Sequence, residues 1–293
     1  MKIFENEPVS RQGYWRVGGP MDRFAILETI EELIAVSSQI TYVIGNGSNL
    51  LVPDAGLRGL TVRPLIRTFE VLDPPDSQSV RVKVGSGMLN MVLLNRLEKA
   101  GLSGLGCLAG VPGTIGGAVA MNAGTAMGEL ESVLESVEGI AAGQPTPITL
   151  SRAQLPMHYR EGGLPQGFIV TSATLQLKTA DAQETERIRH HLDRRKATQP
   201  LELPSCGSVF RNPPGDYAGR LIESCGLKGW QHGGAQISPK HGNFIVNLGD
   251  ASALDVMMCI KKAWMSVQNE YGVQLIPEVR VLGDWDVSLW PLS

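Results

Sequence analysis

The sequence predicts a mixed fold of helices and strands arranged in two compact units. Segments with apolar residues at helical spacing alternate along the chain with short segments that have the pattern of strands. A charged segment at 181–200, DAQETERIRHHLDRRKATQP, separates the two halves and has the composition of a connecting helix. Hydrophobic residues make up 43% of the chain and are spread along its whole length, which excludes low-complexity disorder.

The first half begins with a predicted helix over 28–38, where apolar residues recur at helical spacing, and a short buried strand at 41–45. Further strands are predicted in LTVRP, RTFEVLD and VRVKVG, of which the last alternates most clearly. An amphipathic helix is predicted over 89–100. Gly101 follows it and is suited to the position just after a helix.

A further strand is predicted at 168–177, before the charged connecting helix, which Pro200 stops. The remaining predicted elements are the short helix YAGRLIESCG, the strand NFIVN, a long helix over 251–271 and the strand QLIPEVRVLG. Gly226 and Gly272 are placed to end the two helices.

Charge and composition exclude several function classes. A formal charge of −3 with 19% charged residues gives no broad basic surface for nucleic acid or an anionic membrane, although a local basic groove stays open. Neither a secretion signal nor an apolar run of about 18 residues is visible. We therefore expect a cytoplasmic protein without nucleic-acid or membrane partners.

The cysteines and histidines predict no metal site. Cys107, Cys206, Cys225 and Cys259 are scattered, without CxxC spacing, so free and mostly buried thiols are expected. Two of the five histidines, at 190–191, are adjacent on the charged helix and add no metal-ligand spacing.

The glycines are concentrated in one region. The chain has 34 glycines, and nine of the 28 residues from Gly101 to Gly128 are glycine. Average usage of roughly 7% would give about 20 in the whole chain. A local cluster of this kind indicates backbone that approaches a ligand or another chain segment closely.

Two glycine-containing segments are candidate cofactor sites. The first, Gly45, Asn46, Gly47, Ser48 and Asn49, follows a strand and either cradles a phosphate with its backbone N–H groups or forms an ordinary turn. In the second, Pro112 and Gly113 form a tight turn, Thr114 caps a short helix, and Gly116 and Gly117 let a flat ligand lie against it. Gly104, Gly106 and Gly110 follow a helix with the wrong spacing for a Rossmann motif, and no Gly-Lys pair of a P-loop exists.

Several polar residues are candidates for chemistry, although each taken alone is more typical of an ordinary loop or strand position. They are Tyr159, Arg160, Ser208, Asn212 and Glu278. Ser208 lies in no nucleophile elbow, so a role as nucleophile is poorly supported. A serine hydroxyl can instead protonate a developing carbanion when a cation and an acid stabilise the charge.

Together these motifs resemble the UDP-N-acetylenolpyruvoylglucosamine reductase family. The resemblance runs from about Arg16 to Gly283, and its specificity comes from six motifs in the family's order. They are IGNGSNLLVPDAGLRGLTV, GVPGTIGGAVAMNAG, HYR, QPLELPSCGSVFRNPPGDYAGRLIESCGLKG, GGAQISPKHGNFIVN and PEVRVLG. The compact C-terminal half, without an inserted tyrosine-bearing loop, resembles the shorter of the family's two subtypes.

The resemblance implies an α+β chain with an FAD-binding fold of the vanillyl-alcohol-oxidase (PCMH) type. Two FAD-binding subdomains, at 1–66 and 67–180, would precede a C-terminal α+β substrate-binding domain at 186–293. Gly45 to Asn49 would hold the FAD pyrophosphate. The rest of the cofactor would be lined by Val111, Pro112, Gly113, Thr114, Gly116, Gly117 and Asn122.

The resemblance also implies a reaction of peptidoglycan precursor synthesis. NADPH would reduce the flavin, and flavin N5 would pass a hydride to the enolpyruvyl ether of UDP-N-acetylglucosamine, giving UDP-N-acetylmuramate. Arg160, Ser208 and Glu278 match the family's catalytic positions, with Ser208 as proton donor. Glu278 would act as a protonated acid or through a hydrogen bond, because a bare carboxylate would repel developing negative charge.

Other expectations concern binding. Tyr159 and Asn212 match positions close to substrate, and Arg211 is also expected to bind substrate. Arg211, Arg220 and Lys240 are candidates for the diphosphate or the nicotinamide phosphate because of their charge. The sequence leaves the oligomeric state open, with a monomer expected. The chain departs from the family pattern at two places. The departure at Glu161-Gly162 affects the packing around Arg160, and the departure at Thr125-Ala126-Met127 affects the wall of the site on the flavin side.

Two alternatives stay open from the sequence. One is another FAD oxidoreductase of the same fold, such as a sugar or lactone oxidase that uses oxygen, although an oxidase needs no pair like Ser208 and Glu278 to protonate carbon. The other is a non-catalytic relative that binds flavin or a nucleotide sugar.

Overall fold

The computed structural model describes residues 1–74, 77, 79–141 and 144–286. The described chain forms two compact units. Unit 1 consists of Met1–Phe4, Phe24–Asn46 and Gly59–Asp193. Unit 2 consists of Glu5–Arg23, Gly47–Arg58 and the chain from Arg194 onward.

The described residues contain both helices and strands, which confirms the predicted mixture. The helices are α1 (Ile30–Val36), α2 (Asn90–Lys99), α3 (Ile115–Ala120), α4 (Ala182–Thr198), α5 (Ala218–Ser224) and α6 (Ala253–Tyr271). The strands are β1 (Lys2–Pro8), β2 (Pro20–Leu27), β3 (Ile40–Val43), β4 (Leu50–Leu51), β5 (Leu57–Pro64), β6 (Phe69–Val71), β7 (Val80–Gly85), β8 (Leu102–Ser103), β9 (Gly124–Thr125), β10 (Gly128–Glu129), β11 (Leu134–Ala141), β12 (Ile148–Ser151), β13 (Phe168–Thr179), β14 (Gln231–His232), β15 (Ala235–Ile237), β16 (Ile245–Asn247) and β17 (Arg280–Val281). Short 3-10 turns cover Val9–Arg11, Ser37–Gln39, Gly106–Leu108, Leu130–Ser132 and Arg152–Gln154.

Unit 1 contains two main sheets. One has the order β1-β2-β5-β3, and three of its strands, β1, β2 and β5, continue into unit 2. The other is antiparallel with the order β12-β11-β13-β7-β6, and β8 also pairs with β13. The predicted alternation of β7 is confirmed, since Val80, Val82 and Val84 are buried whereas Arg81 is exposed. These valines form the main core of unit 1 together with residues of α2 and α3.

Unit 2 is built around α6, which packs against α5 and against the small antiparallel sheet β14-β15-β16. Ser252 caps the N-terminus of α6 and forms a capping box with Asp255. Gly272 ends the helix in the left-handed conformation with a φ of +67°. The core of the unit includes the fully buried side chains of Trp15 and Phe210.

Two strand predictions need correction. The strand predicted at 41–45 is β3, and it is not buried, because it is the edge strand of its sheet and Val43 is 41% exposed. The ten-residue strand predicted at 274–283 is assigned only as β17. Upstream of β17, Pro277 has no N–H to donate, and Ile276 and Glu278 bond irregularly to the loop at 209–211 instead of forming a ladder.

All four cysteines are free, with three buried and Cys225 half-buried, as predicted. The boundary between the units follows Asp193, inside the charged helix α4. The predicted domain limits at 66 and 180 stay predictions. No helix among the described residues combines the length and the apolar character needed to cross a membrane.

Candidate active site

The first predicted cofactor segment is divided between the units, with residues 45–46 in unit 1 and residues 47–49 in unit 2. In unit 1, a Cβ atom on Gly45 would lie 3.0 Å from Oγ1 of Thr114, closer than most real contacts of a Cβ. Glycine at position 45 therefore allows the beginning of this segment to lie close to Thr114, the N-cap of α3.

Arg63 is a residue that the sequence analysis did not single out. Its Nε donates a hydrogen bond of 2.8 Å to the carbonyl of Gly45, and the residue is only 9% exposed. Burial lowers the pKa of Arg63 to about 10, so the guanidinium stays charged at neutral pH. A buried cation beside a predicted phosphate-binding segment is a candidate partner for an anionic cofactor group. The available signal was a charged residue inside the predicted strand LTVRP.

In unit 2, residues 47–49 of the same segment contact other parts of the chain. Gly47 has a φ of +65°, and a Cβ there would lie 2.7 Å from the carbonyl oxygen of Gln12. The side-chain amide of Asn49 donates a 3.0 Å hydrogen bond to the carbonyl of Glu278, and the N–H of Arg280 donates to the carbonyl of Asn49. Asn49 therefore supports the segment that carries Glu278. Its assignment to FAD stays a prediction.

The second cofactor segment forms the predicted short helix, α3, with Thr114 as its cap. The first three amides of α3 all have acceptors within unit 1. Ile115 donates to the carbonyl of Met88 at 2.9 Å, Gly116 to the carbonyl of Ser86 at 2.8 Å and Gly117 to Oγ1 of Thr114 at 3.4 Å. These amides are therefore already paired with protein oxygens.

The two adjacent glycines of α3 have different surroundings. A Cβ on Gly116 would lie 3.0 Å from the Cβ of Ser86, so this glycine lets the helix pack closely on the protein. A Cβ on Gly117 would have the capping oxygen of Thr114, 3.7 Å away, as its nearest neighbour outside the helix backbone. Gly117 thus marks an open face of α3, which fits the prediction that a flat ligand lies there.

Buried hydroxyls in unit 1 also fit a bound cofactor. The hydroxyl oxygens of Thr61, Ser86 and Thr171 are buried in unit 1 and have no hydrogen-bond partner among the described residues. Ser86 is linked to both its neighbours, because its N–H donates to Thr171 at 2.8 Å and its carbonyl accepts from Gly116. Since buried polar groups nearly always have partners, a polar ligand or water is expected at these atoms. The residues present in unit 1 are therefore compatible with FAD.

Arg160 lies in unit 1 in a conformation that is uncommon for a residue other than glycine. Its φ is +61°, and its guanidinium lies 4.7 Å from the centre of the Tyr159 ring. Tyr159 itself is 44% exposed. The departure Glu161-Gly162 has a local explanation, because a Cβ on Gly162 would lie 2.0 Å from the carbonyl oxygen of Val119 at the end of α3. Any side chain at this position would clash with the backbone.

Asn122, predicted to line the cofactor, is fully buried and is the polar centre of a local network. Its amide nitrogen donates to Oε2 of Glu129 at 3.2 Å and to the carbonyl of His158 at 3.1 Å. Its amide oxygen accepts the N–H of Glu131 at 3.0 Å. Its contact with FAD stays a prediction.

Ser208 and Glu278 lie in unit 2 on neighbouring backbone segments. The N–H of Glu278 donates to the carbonyl of Val209 at 2.8 Å, one residue after Ser208. On the other side, Ser208 forms an isolated β-bridge with Phe244. Ser208 and Glu278 are 70 positions apart in sequence, and backbone hydrogen bonds between their segments therefore hold them close together.

Asn243 holds this loop through a pair of hydrogen bonds that the sequence analysis did not anticipate. Its Oδ1 accepts the N–H of Phe210 at 2.9 Å, and its Nδ2 donates to the carbonyl of Phe210 at 2.8 Å. Asn243 is 3% exposed. The side chain thus substitutes for a strand partner next to Val209 and Ser208.

The remaining predicted residues of unit 2 have protein contacts of their own. Asn212 accepts the N–H of Ala218 at the start of α5 with its side-chain oxygen. Arg211 donates its backbone N–H to Ile276 at 2.9 Å. Burial raises the pKa of the Cys206 thiol to about 12, so this neighbour of Ser208 is protonated at neutral pH.

Two cations proposed for phosphate groups already have acceptors in unit 2. Arg220 forms an ion pair with Asp216. Lys240 donates to the carbonyl of Lys196 at 2.9 Å. Their assignments to substrate or NADPH stay predictions.

Comparison with known proteins identifies two domain families. Residues 22–143 match the family described as "FAD binding domain". Residues 199–282 match the family described as "UDP-N-acetylenolpyruvoylglucosamine reductase, C-terminal domain".

Whole-length relatives carry the same name. UDP-N-acetylenolpyruvoylglucosamine reductase of Moorella thermoacetica is 40% identical over 97% of this chain and 94% of its own length. The Methylococcus capsulatus protein of that name is 42% identical over 96% of this chain and 93% of its own. The crystal structure of UDP-N-acetylenolpyruvylglucosamine reductase (MurB) from Thermus caldophilus matches with a TM-score of 0.83 at 38% identity, covering 97% of this chain and 100% of that one.

These matches confirm the predicted FAD-binding fold with its C-terminal substrate domain. They extend over almost the whole chain and over nearly the full length of each relative. The chain therefore belongs to the UDP-N-acetylenolpyruvoylglucosamine reductase (MurB) family.

Proposed function

We propose that this protein reduces the enolpyruvyl ether of UDP-N-acetylglucosamine to UDP-N-acetylmuramate, with FAD as bound cofactor and NADPH as hydride donor. Membership of the reductase family supports the reaction. The observation that carries the proposal is the hydrogen bond from Glu278 to the carbonyl of Val209, which holds Glu278 next to the Ser208 loop. A proton donor and an acid are what addition of hydrogen to an alkene next to a carboxylate requires.

The reaction adds a hydride to the terminal carbon of the alkene and a proton to the adjacent carbon. FAD, when bound, supplies the hydride, and NADPH restores its reduced form. Hydride addition leaves negative charge on the carbon next to the substrate carboxylate. Arg160 stabilises this charge as a cation, and Glu278 stabilises it by donating a hydrogen bond from its protonated acid.

Ser208 completes the reaction by giving its hydroxyl proton to that carbon, which yields the lactyl ether. The loop that carries Ser208 is fixed on both sides, by Phe244 and by the contact of Val209 with Glu278. Such fixed positioning favours proton transfer to one carbon of the substrate.

The cofactor residues follow from the two glycine-containing segments. Gly45 to Asn49 and the buried Arg63 would hold the pyrophosphate of FAD. The turn at Pro112 and Gly113, together with the open face at Gly117, would line the remainder. Tyr159, Arg211 and Asn212 would contact the nucleotide sugar, and we infer a cytoplasmic enzyme of peptidoglycan precursor synthesis.

The two half-reactions test this function. Purified protein is expected to be yellow, to be bleached by NADPH under anaerobic conditions and to regain its colour when the enolpyruvyl nucleotide is added. Reoxidation by oxygen but not by that nucleotide would identify an oxidase. Flavin binding without bleaching by NADPH would identify a non-catalytic relative.

A serine variant tests the proton donor. Ser208→Ala is expected to slow flavin reoxidation by the enolpyruvyl nucleotide by about 100-fold or more and to leave reduction by NADPH nearly unchanged. Ser205→Ala, in the same loop, is the matched control. Equal loss in both half-reactions of the Ser208 variant would contradict its role as proton donor.

A further inference from the structure

One small hairpin supplies two partners of Arg160. Nη2 of Arg160 donates to the carbonyl of Gly124 at 3.0 Å, and Nη1 donates to Oε1 of Glu129 at 3.4 Å. Gly124 and Glu129 lie directly opposite each other in the pairing of β9 with β10. The hairpin therefore presents a carbonyl and a carboxylate side by side to one guanidinium.

The carboxylate of Glu129 is fixed through its other oxygen. Oε2 accepts a hydrogen bond from the amide of the fully buried Asn122 at 3.2 Å. The same amide donates to the carbonyl of His158, two residues before Arg160. Asn122 thereby ties the hairpin to the turn that carries Arg160, and the two oxygens of Glu129 serve different partners.

The pair is largely shielded from water. The side chains of Arg160 and Glu129 are 15% and 22% exposed. A charge-assisted hydrogen bond between guanidinium and carboxylate is directional, so it restricts the orientation of the guanidinium plane. The backbone of Arg160 adopts the uncommon φ of +61°. This conformation fixes the direction in which the side chain leaves the backbone, but it does not fix the orientation of the guanidinium, which the hydrogen bond to Glu129 restricts.

We propose that Glu129 is a positioning residue of the reductase, which acts through Arg160 by fixing its guanidinium with the help of Asn122. This proposal rests on the function proposed above. Glu129 makes no contact with substrate in this role, and it neither donates nor accepts a proton in the reaction.

The test uses Glu129→Gln in the FAD-containing protein. If the glutamine oxygen keeps the bond from Asn122, its NH2 group faces Nη1 of Arg160, so two donors meet and the guanidinium moves. Displacement of a catalytic group by about 1 Å can lower the reaction rate on the order of 100-fold. Flavin reoxidation by the enolpyruvyl nucleotide is therefore expected to slow by about 10- to 100-fold. Flavin reduction by NADPH should change by less than about 3-fold.

The matched control is Glu131→Gln. Glu131 lies two residues further along and forms an ion pair with Arg152 at 2.6 Å, so this variant also removes a carboxylate from an arginine. Both half-reactions of this control should keep rates close to those of the wild type. A similar loss in both variants would assign the effect to general destabilisation and overturn the proposal.

A double-mutant cycle separates positioning from a purely structural role. Because Glu129 is proposed to act only through Arg160, Glu129→Gln should slow reoxidation little further in an Arg160→Lys background. An equal fold-loss in both backgrounds would show that Glu129 acts independently of Arg160 and would overturn the proposal. If the glutamine variant does not fold, Glu129→Asp replaces it, since the shorter side chain cannot reach Asn122 and Arg160 together. A wild-type reoxidation rate in Glu129→Asp would also overturn it.

The wild-type protein distinguishes failure of this inference from failure of the function. If reduced wild-type enzyme is not reoxidised by the enolpyruvyl nucleotide, the proposed function falls, and the role of Glu129 falls with it. If the wild type is reoxidised and Glu129→Gln is equally fast, the positioning role alone is wrong.

Discussion

The side-chain amide of Asn49 donates a 3.0 Å hydrogen bond to the backbone carbonyl of Glu278, 229 residues further along the chain. The sequence places Asn49 in a segment predicted to hold a phosphate. The contact gives it a second role within unit 2, because it supports the backbone of the acid proposed to stabilise charge. Further support comes from the N–H of Arg280, which donates to the carbonyl of Asn49.

We therefore expect Asn49→Ala to slow flavin reoxidation by the enolpyruvyl nucleotide by about 10-fold, because Glu278 loses an anchor. Rapid-mixing absorbance of the flavin measures this rate, and titration of the apoprotein with FAD measures cofactor affinity. A fall in FAD affinity with an unchanged reoxidation rate would instead favour the phosphate-binding role.

Gly117 and Gly116 form a matched pair of positions on α3. Gly117→Ala should stabilise the apoprotein by about 0.5–1 kcal/mol, because alanine favours the helix and its Cβ has room. The same methyl group would occupy the open face and should weaken FAD binding by about 10-fold. Urea unfolding of the apoprotein and titration with FAD measure the two effects.

Gly116→Ala is expected to destabilise the apoprotein, in contrast to Gly117→Ala. Its Cβ would meet the side chain and the backbone of Ser86 at 3.0–3.3 Å, so the free energy of unfolding should fall by about 1–3 kcal/mol. Equal stability changes in the two variants would show that the surroundings of Gly116 and Gly117 do not differ as described.

Asn243→Ala should lower the free energy of unfolding by about 3 kcal/mol, since it leaves the buried N–H and carbonyl of Phe210 without their partner. Urea unfolding followed by tryptophan fluorescence measures the change. Asn269→Ala, at an exposed position of α6, is the control and should change stability by less than about 0.5 kcal/mol. If Asn243→Ala lowers the free energy of unfolding by less than about 1 kcal/mol, the two hydrogen bonds of Asn243 do not hold the Ser208 loop as described.

The capping box of α6 predicts a pH dependence of stability. Burial of Asp255 opposes its ionisation, but hydrogen bonds from the backbone N–H groups of Ser252 and Gly234 outweigh it and lower the pKa of the carboxyl. A carboxyl with a lowered pKa in the folded state stabilises the protein fully above its unfolded pKa of about 3.9, and this contribution is lost as the pH falls through the folded value.

Asp255→Asn should therefore be less stable than the wild type at neutral pH, and the difference should shrink as the pH falls from about 5 to about 3. Urea unfolding at a series of pH values measures this difference. A difference that stays constant over that range would contradict the stabilising role of the carboxylate.

The candidate site was only partly predictable. Thr114 as helix cap and Gly101 and Gly272 as helix ends follow local rules that act within a few residues, and the structure confirms all three. Arg63 and Glu129 were missed because their importance depends on partners brought close by the fold. The roles assigned to Arg160, Ser208 and Glu278 stay predictions that the experiments above can test.

The sequence by itself determined the mixed fold, the positions of the main helices and the family, because helical periodicity, capping residues and the order of motifs are properties of the chain alone. Only the tertiary structure decided how its glycines and asparagines are used. Gly116 packs against Ser86 whereas the adjacent Gly117 faces open space, and Asn49 reaches Glu278. Such contacts join residues far apart in sequence, so no local pattern encodes them and packing decides which atoms meet.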